Sequence, residues 1–122
     1  MSEEVRLTLP AEADFRRIAH LVVGGFGVRL DLTFEDLDDL HVALEALLGC
    51  RDDEGDIVVT VDAGDGRVHA SVGPFPHGSL DSLERDDTPV GLRRVLETVC
   101  ETYEIEERGG SSWVELSKRI PA

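Results

Sequence analysis

Lysine occurs once in these 122 residues, at Lys118, against eleven arginines. Cysteine occurs twice, at Cys50 and Cys100, with no metal-ligand spacing and little support for a disulfide framework. Aromatic residues make up only 5% of the chain, so its core must be mostly aliphatic. No apolar run approaches the roughly 20 residues that a membrane span requires. Met1-Ser2-Glu3-Glu4 carries neither the basic nor the apolar region of a signal peptide, and a cytoplasmic location is expected. Positive charge is scarce as well. Lys+Arg total 12 against 26 Asp+Glu, a net charge of −14. Such a field repels phosphate backbones and anionic lipid, so neither nucleic acid nor a membrane surface is an expected partner.

What remains is enough for a packed core. The chain is 41% hydrophobic, and its length suits one domain over residues 1–122. Val5, Leu7 and Leu9 alternate with Arg6 and Thr8, a strand pattern stopped by Pro10. From Ala11 the period becomes helical, with Phe15, Ile18, Ala19, Val22 and Phe26 on one face. Gly24, Gly25 and Gly27 are expected to fray its last turns.

A second helix begins at Thr33, an N-cap residue, with Asp36 in the Glu position of a capping box. Phe34, Leu37, Leu40, His41, Leu44, Leu47 and Leu48 form its apolar stripe, and Gly49 stands where a helix would end. Residues 57–61 and 68–72 read as strands joined by the turn-forming Asp62-Ala63-Gly64-Asp65-Gly66. Gly73-Pro74-Phe75-Pro76-His77-Gly78 is expected to break all regular structure, with a loop continuing to Pro89. Leu92, Val95, Leu96 and Val99 mark a third helix, and residues 103–107 and 112–118 a second hairpin around Gly109-Gly110. The order β-α-α-β-β-α-β-β predicts an α+β two-layer sandwich: a mixed or antiparallel sheet with three helices on one face.

Few constellations carry chemistry. His20, His41, His69 and His77 never fall at i, i+4, and no ligand cluster joins them, so no metal site is expected. His41, on an apolar stripe, reads as a hydrogen-bonded structural histidine. Gly-x-Ser-x-Gly is absent, and Gly64-Asp65-Gly66 lies between strands rather than opening a helix, as a nucleotide loop would. Acidic residues do crowd one region: Glu35, Asp36, Asp38, Asp39, Glu45, Asp52, Asp53, Glu54, Asp56, Asp62 and Asp65 are balanced by Arg51 alone. No calcium-loop pattern orders them. A docking surface for a basic partner and a solvated, solubilising face both fit this density.

The second helix, residues 34–48, resembles the first ATP-binding helix of the anti-sigma serine kinases. These belong to the GHKL (histidine-kinase-like, Bergerat-fold) ATPase superfamily. Leu9-Pro10-Ala11-Glu12 is similar to the family's approach to its first helix, Gly91-Leu92-Arg93-Arg94-Val95-Leu96 to its later Gly-Leu helix start, and residues 109–120 to its closing hairpin. The resemblance implies the fold reached above, and it makes Glu45 the catalytic residue if the chain is an active kinase. It also makes Glu45, Gly49 and Gly91 the remnants of the nucleotide site.

The chemistry is degenerate. The family's magnesium-ligating Asn falls at Gly49, which has no side chain, and its adenine-binding Asp falls within Val72-Gly73-Pro74-Phe75-Pro76, which has no carboxylate. The glycine-rich ATP lid is reduced to residues 77–89, with Gly78 its only glycine. Two such losses should weaken nucleotide recognition by about 10²- to 10⁴-fold. The expectation is therefore a regulator acting by protein contact in a bacterial partner-switching circuit, with ATP binding weak or lost and no cofactor required. A sigma factor or an anti-sigma antagonist is the implied partner. Family members often pair through their sheet and first helix, which leaves room for a homodimer. The alternative is an ATP-dependent protein serine kinase that uses Glu45 and retains Mg-ATP, with Asp52 or Asp53 replacing the lost ligand.

Overall fold

Alternation along the strands decides which face of the sheet is dry. In the computed structural model, which describes residues 3–10, 13–30, 32–48, 55–64, 66–76, 80 and 92–119, five strands form one sheet. They are β1 (Glu3–Pro10), β2 (Asp56–Gly64), β3 (Arg67–Pro76), β4 (Thr102–Arg108) and β5 (Ser111–Arg119). The order across the sheet is β1-β2-β3-β5-β4, and every pairing is antiparallel. The register carries one apolar row straight across: Leu7 opposes Val59, Val59 opposes Val72, Val72 opposes Val114, and Val114 opposes Ile105. The neighbouring positions turn the other way and form a polar row of Arg6, Thr60, Ser71, Glu115 and Glu104. Helices α1 (Ala13–Arg29), α2 (Phe34–Leu48) and α3 (Leu92–Val99) cover the apolar face. This is the expected α+β sandwich, with an antiparallel sheet.

The core is aliphatic, as the scarcity of aromatics requires. Ala19, Val23 and Phe26 of α1, Leu40, Ala43, Leu44, Leu47 and Leu48 of α2, and Leu96 of α3 are buried against the strands in one cluster. Leu80 joins them at 1% exposure, although its neighbours in sequence lie outside the described residues.

Several local expectations need correction. The last turns of α1 do not fray, because the helix runs through Gly24, Gly25 and Gly27 to Arg29. A Cβ on Gly27 would lie 2.7 Å from Leu37 Cδ1, so this glycine lets α1 approach α2 closely. The packing it permits offsets the cost of about 1 kcal/mol for a glycine inside a helix. The buried face of α1 is also turned from the expected one: Val23 is buried, whereas Ile18 is 41% exposed. Apolar residues lie nearly all round this helix, so periodicity did not single out one face. On α2, Phe34 is 84% exposed. It precedes by one turn the Leu37 contact with α1, beyond the reach of the core.

The first hairpin is tighter than expected, with Gly64 already paired to Arg67 and Gly66 at φ +73° in the turn. Strand β3 does not stop at Val72 either. It continues to Pro76 through a register shift in which Val72 faces Val114 and Phe75 faces Ser112, with a cis Gly73–Pro74 bond between them. Two steps on β5 thus match three on β3. A bulge tolerates a proline that would interrupt a regular ladder, and Phe75 returns to the core at 1% exposure.

The start of α2 is built as its sequence suggests, with one difference. Thr33 Oγ1 accepts the Asp36 N–H at 3.1 Å, which makes Thr33 the N-cap. The Asp36 carboxylate does not return to complete a capping box. It turns to the sheet, where Lys118 Nζ lies 3.6 Å from Asp36 Oδ1, 3.0 Å from Asp39 Oδ2 and 3.3 Å from the Val99 carbonyl. Burial lowers the Lys118 pKa, but the hydrogen bond and charge of Asp39, then of Asp36, outweigh it and the net shift is upward. The sole lysine therefore ties β5 to α2 and to the end of α3. Replacing it with Met should lower stability by about 1–2 kcal/mol, because two part-buried carboxylates lose their cation. Urea denaturation of Lys118→Met measures this, and an unchanged midpoint would contradict it.

Candidate functional site

The site is set by where α1 meets α2. Glu45 projects from the outer side of α2, next to Leu44 in the core, and its side chain is 53% exposed. His20 lies on α1 beside the buried Ala19. Packing of the two helices brings His20 Nε2 to 2.7 Å from Glu45 Oε2. One turn before Glu45, His41 Nε2 lies 3.1 Å from the His20 carbonyl oxygen. A backbone carbonyl only accepts, so His41 carries its proton on Nε2 and donates it there.

The two imidazoles stand edge to face with centroids 5.0 Å apart. His41 is held below its ordinary value of 6.5, by burial first and by His20 second, while the hydrogen bond to the His20 backbone and the charge of Asp38 pull the other way. It is thus the hydrogen-bonded histidine that its place on the stripe implied.

These groups line an open cleft of about 520 Å³ together with Val42, Ala46 and Val95, the last contributed by α3. Its described walls are apolar apart from one carboxylate and two imidazoles, and they include no lysine or arginine. Such a lining offers hydrogen bonds and apolar contact but no fixed positive charge for a phosphate. Among the described residues no group of three His, Cys, Asp or Glu side chains is placed to hold a metal ion.

Of the residues singled out by sequence, Glu45 lies in the cleft. Gly49, Gly91, Asp52, Asp53 and His77 lie outside the described residues. His69 is exposed on strand β3, away from the other histidines. The acidic stretch does not act as one unit: Asp36 and Asp39 are engaged by Lys118, and Asp38 is exposed. In sequence His20 reads as an ordinary surface or core-edge histidine. Its contact with Glu45 spans 25 positions of sequence and depends on how α1 packs on α2, which helical periodicity does not encode.

Fold and site define a class: an α+β two-layer sandwich with an open cleft beside its second helix. No protein-family model matches the chain, and no curated protein does. Among solved structures it is similar to the RsbU and RsbW domains of Rv1364c from Mycobacterium tuberculosis, with a TM-score of 0.70 and 21% identity. The match covers 97% of this chain and 32% of that one. The chain thus spans about a third of the structure it matches, and at this identity the likeness is one of fold. No described helix is long and apolar enough to cross a membrane.

Proposed function

We propose that the chain is an anti-sigma-factor-like regulator that acts by protein contact in a partner-switching circuit, with nucleotide binding weak or lost. The observation that carries this reading is the fold match, over nearly the whole chain, to a structure of the RsbU and RsbW domains of Rv1364c, taken with the resemblance of residues 34–48 to the anti-sigma serine kinases. The described lining of the cleft gives a nucleotide no cation to bind. It sets one carboxylate, already hydrogen-bonded to His20, among apolar side chains. The partner is a sigma factor or an antagonist of the anti-sigma factor. An acidic chain of net charge −14 would attract a basic partner mainly through the rate of association, so binding should weaken as salt rises.

A pull-down from the native host should recover a transcription regulator of this kind; consistent recovery of none would count against the proposal. Calorimetry with Mg-ATP should show no binding in the micromolar range. One observation keeps the kinase reading in play, namely that Glu45 does line the cleft. Under that reading Mg-ATP binds with a micromolar constant, and Glu45→Ala abolishes phosphorylation of the antagonist.

A further inference from the structure

The outward face of α2 is not uniformly polar. Phe34, Asp38, Val42 and Glu45 follow one another at spacings of four, four and three, so they share one side of the helix. All four are exposed, the two apolar ones at 84% and 41%. Helix α2 packs against both α1 and α3 and lies between them. At Val42 the strip therefore enters the cleft, where Ala46 continues it and Val95 of α3 forms a wall. From Phe34 to Ala46 it runs about 18 Å, or about three turns of helix.

The charge along this strip has one sign. Helix α2 carries five carboxylates and neither lysine nor arginine. Lys118 engages Asp36 and Asp39 on the sheet side, while Glu35, Asp38 and Glu45 are exposed. The exposed Arg17 and Arg94 belong to the flanking helices α1 and α3.

We propose that the strip is a docking groove for an amphipathic helix of a partner protein, about three turns long and basic along the edges of its apolar stripe. The inference rests on the reading of this chain as a regulator acting by protein contact, and it places that contact. One apolar side chain of the partner enters the cleft between Val42, Ala46 and Val95, and a second, about two turns away, covers Phe34. Lysine or arginine between them meets Asp38 and Glu45. The hydrogen bond from His20 leaves room for this, because a carboxylate accepts from more than one donor. An open cleft of about 520 Å³ that continues into an exposed strip suits a long ligand better than a small one. A second copy of the chain is disfavoured here, since it would bring a further net charge of −14 against the same carboxylates.

Fluorescence anisotropy on the full chain tests the groove with a labelled synthetic peptide of about 16 residues. The peptide carries leucine at every third or fourth position, lysine beside that stripe and alanine elsewhere. It should bind saturably at low salt, with a dissociation constant on the order of 10–100 μM, and about tenfold more weakly at about 0.3 M salt. Val42→Arg sets a cation in the groove at an exposed position, and it should weaken binding by about tenfold or more. Glu45→Gln combined with Asp38→Asn should remove most of the salt dependence, and Glu104→Gln on the outer face of the sheet should change nothing. Equal binding of a scrambled peptide of the same composition, or of the Val42→Arg chain, would overturn the proposal. So would a dimer that Val42→Arg dissociates in sedimentation, because a second copy would then cover this face. The regulator recovered from the host separates the two readings. If it binds the Val42→Arg chain as well as the wild type, the groove falls and the regulator stands. If none is recovered while the peptide binds at Val42, the regulator falls and the groove stands.

Discussion

Gly73→Val should cost about 3 kcal/mol or more of folding stability. A Cβ at this position would lie 2.5 Å from Cδ2 of Trp113 and 2.7 Å from its Cε3, closer than atoms pack. The neighbour cannot simply swing away. The indole rests on the Gly73 backbone on one side, and on the other the Arg108 guanidinium stands 5.3 Å from the ring centroid. Arg108 is itself held by Glu106 at 3.1 Å and by Glu115, and its hydrogen bond keeps the Glu106 carboxyl below the usual carboxylate range. A larger residue must therefore displace a stacked group at the point where β3 bulges against β5. Denaturant unfolding followed through Trp113, the only tryptophan, reads both consequences at once: a lower midpoint and a changed native emission. A variant with the wild-type midpoint would show that the indole moves freely.

The second large effect is expected at Leu44→Ala, at about 3–4 kcal/mol. Leu44 is 0% exposed and sits among Leu40, Leu47 and Leu48 beneath the sheet. Truncating it removes the transfer free energy of the lost atoms and leaves a cavity that β-strand neighbours cannot readily fill. Because Glu45 follows directly, the same variant should also disturb the contact between Glu45 and His20. The thermal midpoint measures the first effect, and the chemical shifts of the two imidazoles report the second. A loss below about 1 kcal/mol would mean that the helices collapse onto the gap.

The regular elements were legible where one face alone is apolar. Strand β2 buries every second side chain, and α2 announces its start with Thr33; both cover the residues their patterns mark, although β2 runs on into the expected turn. Helix α1 was harder to read, since Ile18, Leu21 and Val28 are as apolar as the residues it buries and yet remain exposed. Gly27 reads as a helix breaker in sequence, and only the close approach of Leu37 from α2 gives it a place inside the helix. Pro74 and Pro76 read as strand breakers because a bulge depends on the register of β5, which lies almost 40 residues further along the chain. The candidate site divides in the same way. Glu45 could be placed from its own helix and from resemblance, whereas His20 gains meaning only from the crossing of α1 and α2.

The tie from β5 to α2 and α3 runs through a single ε-amine. Reagents that acylate lysine thus find no other lysine side chain; this one is kept protonated by Asp36 and Asp39 and reacts slowly, and its modification removes the cation from both carboxylates together. Amine-directed immobilisation that reaches Lys118, rather than the α-amine of the chain, would therefore remove the contact that holds the start of the second helix to the sheet.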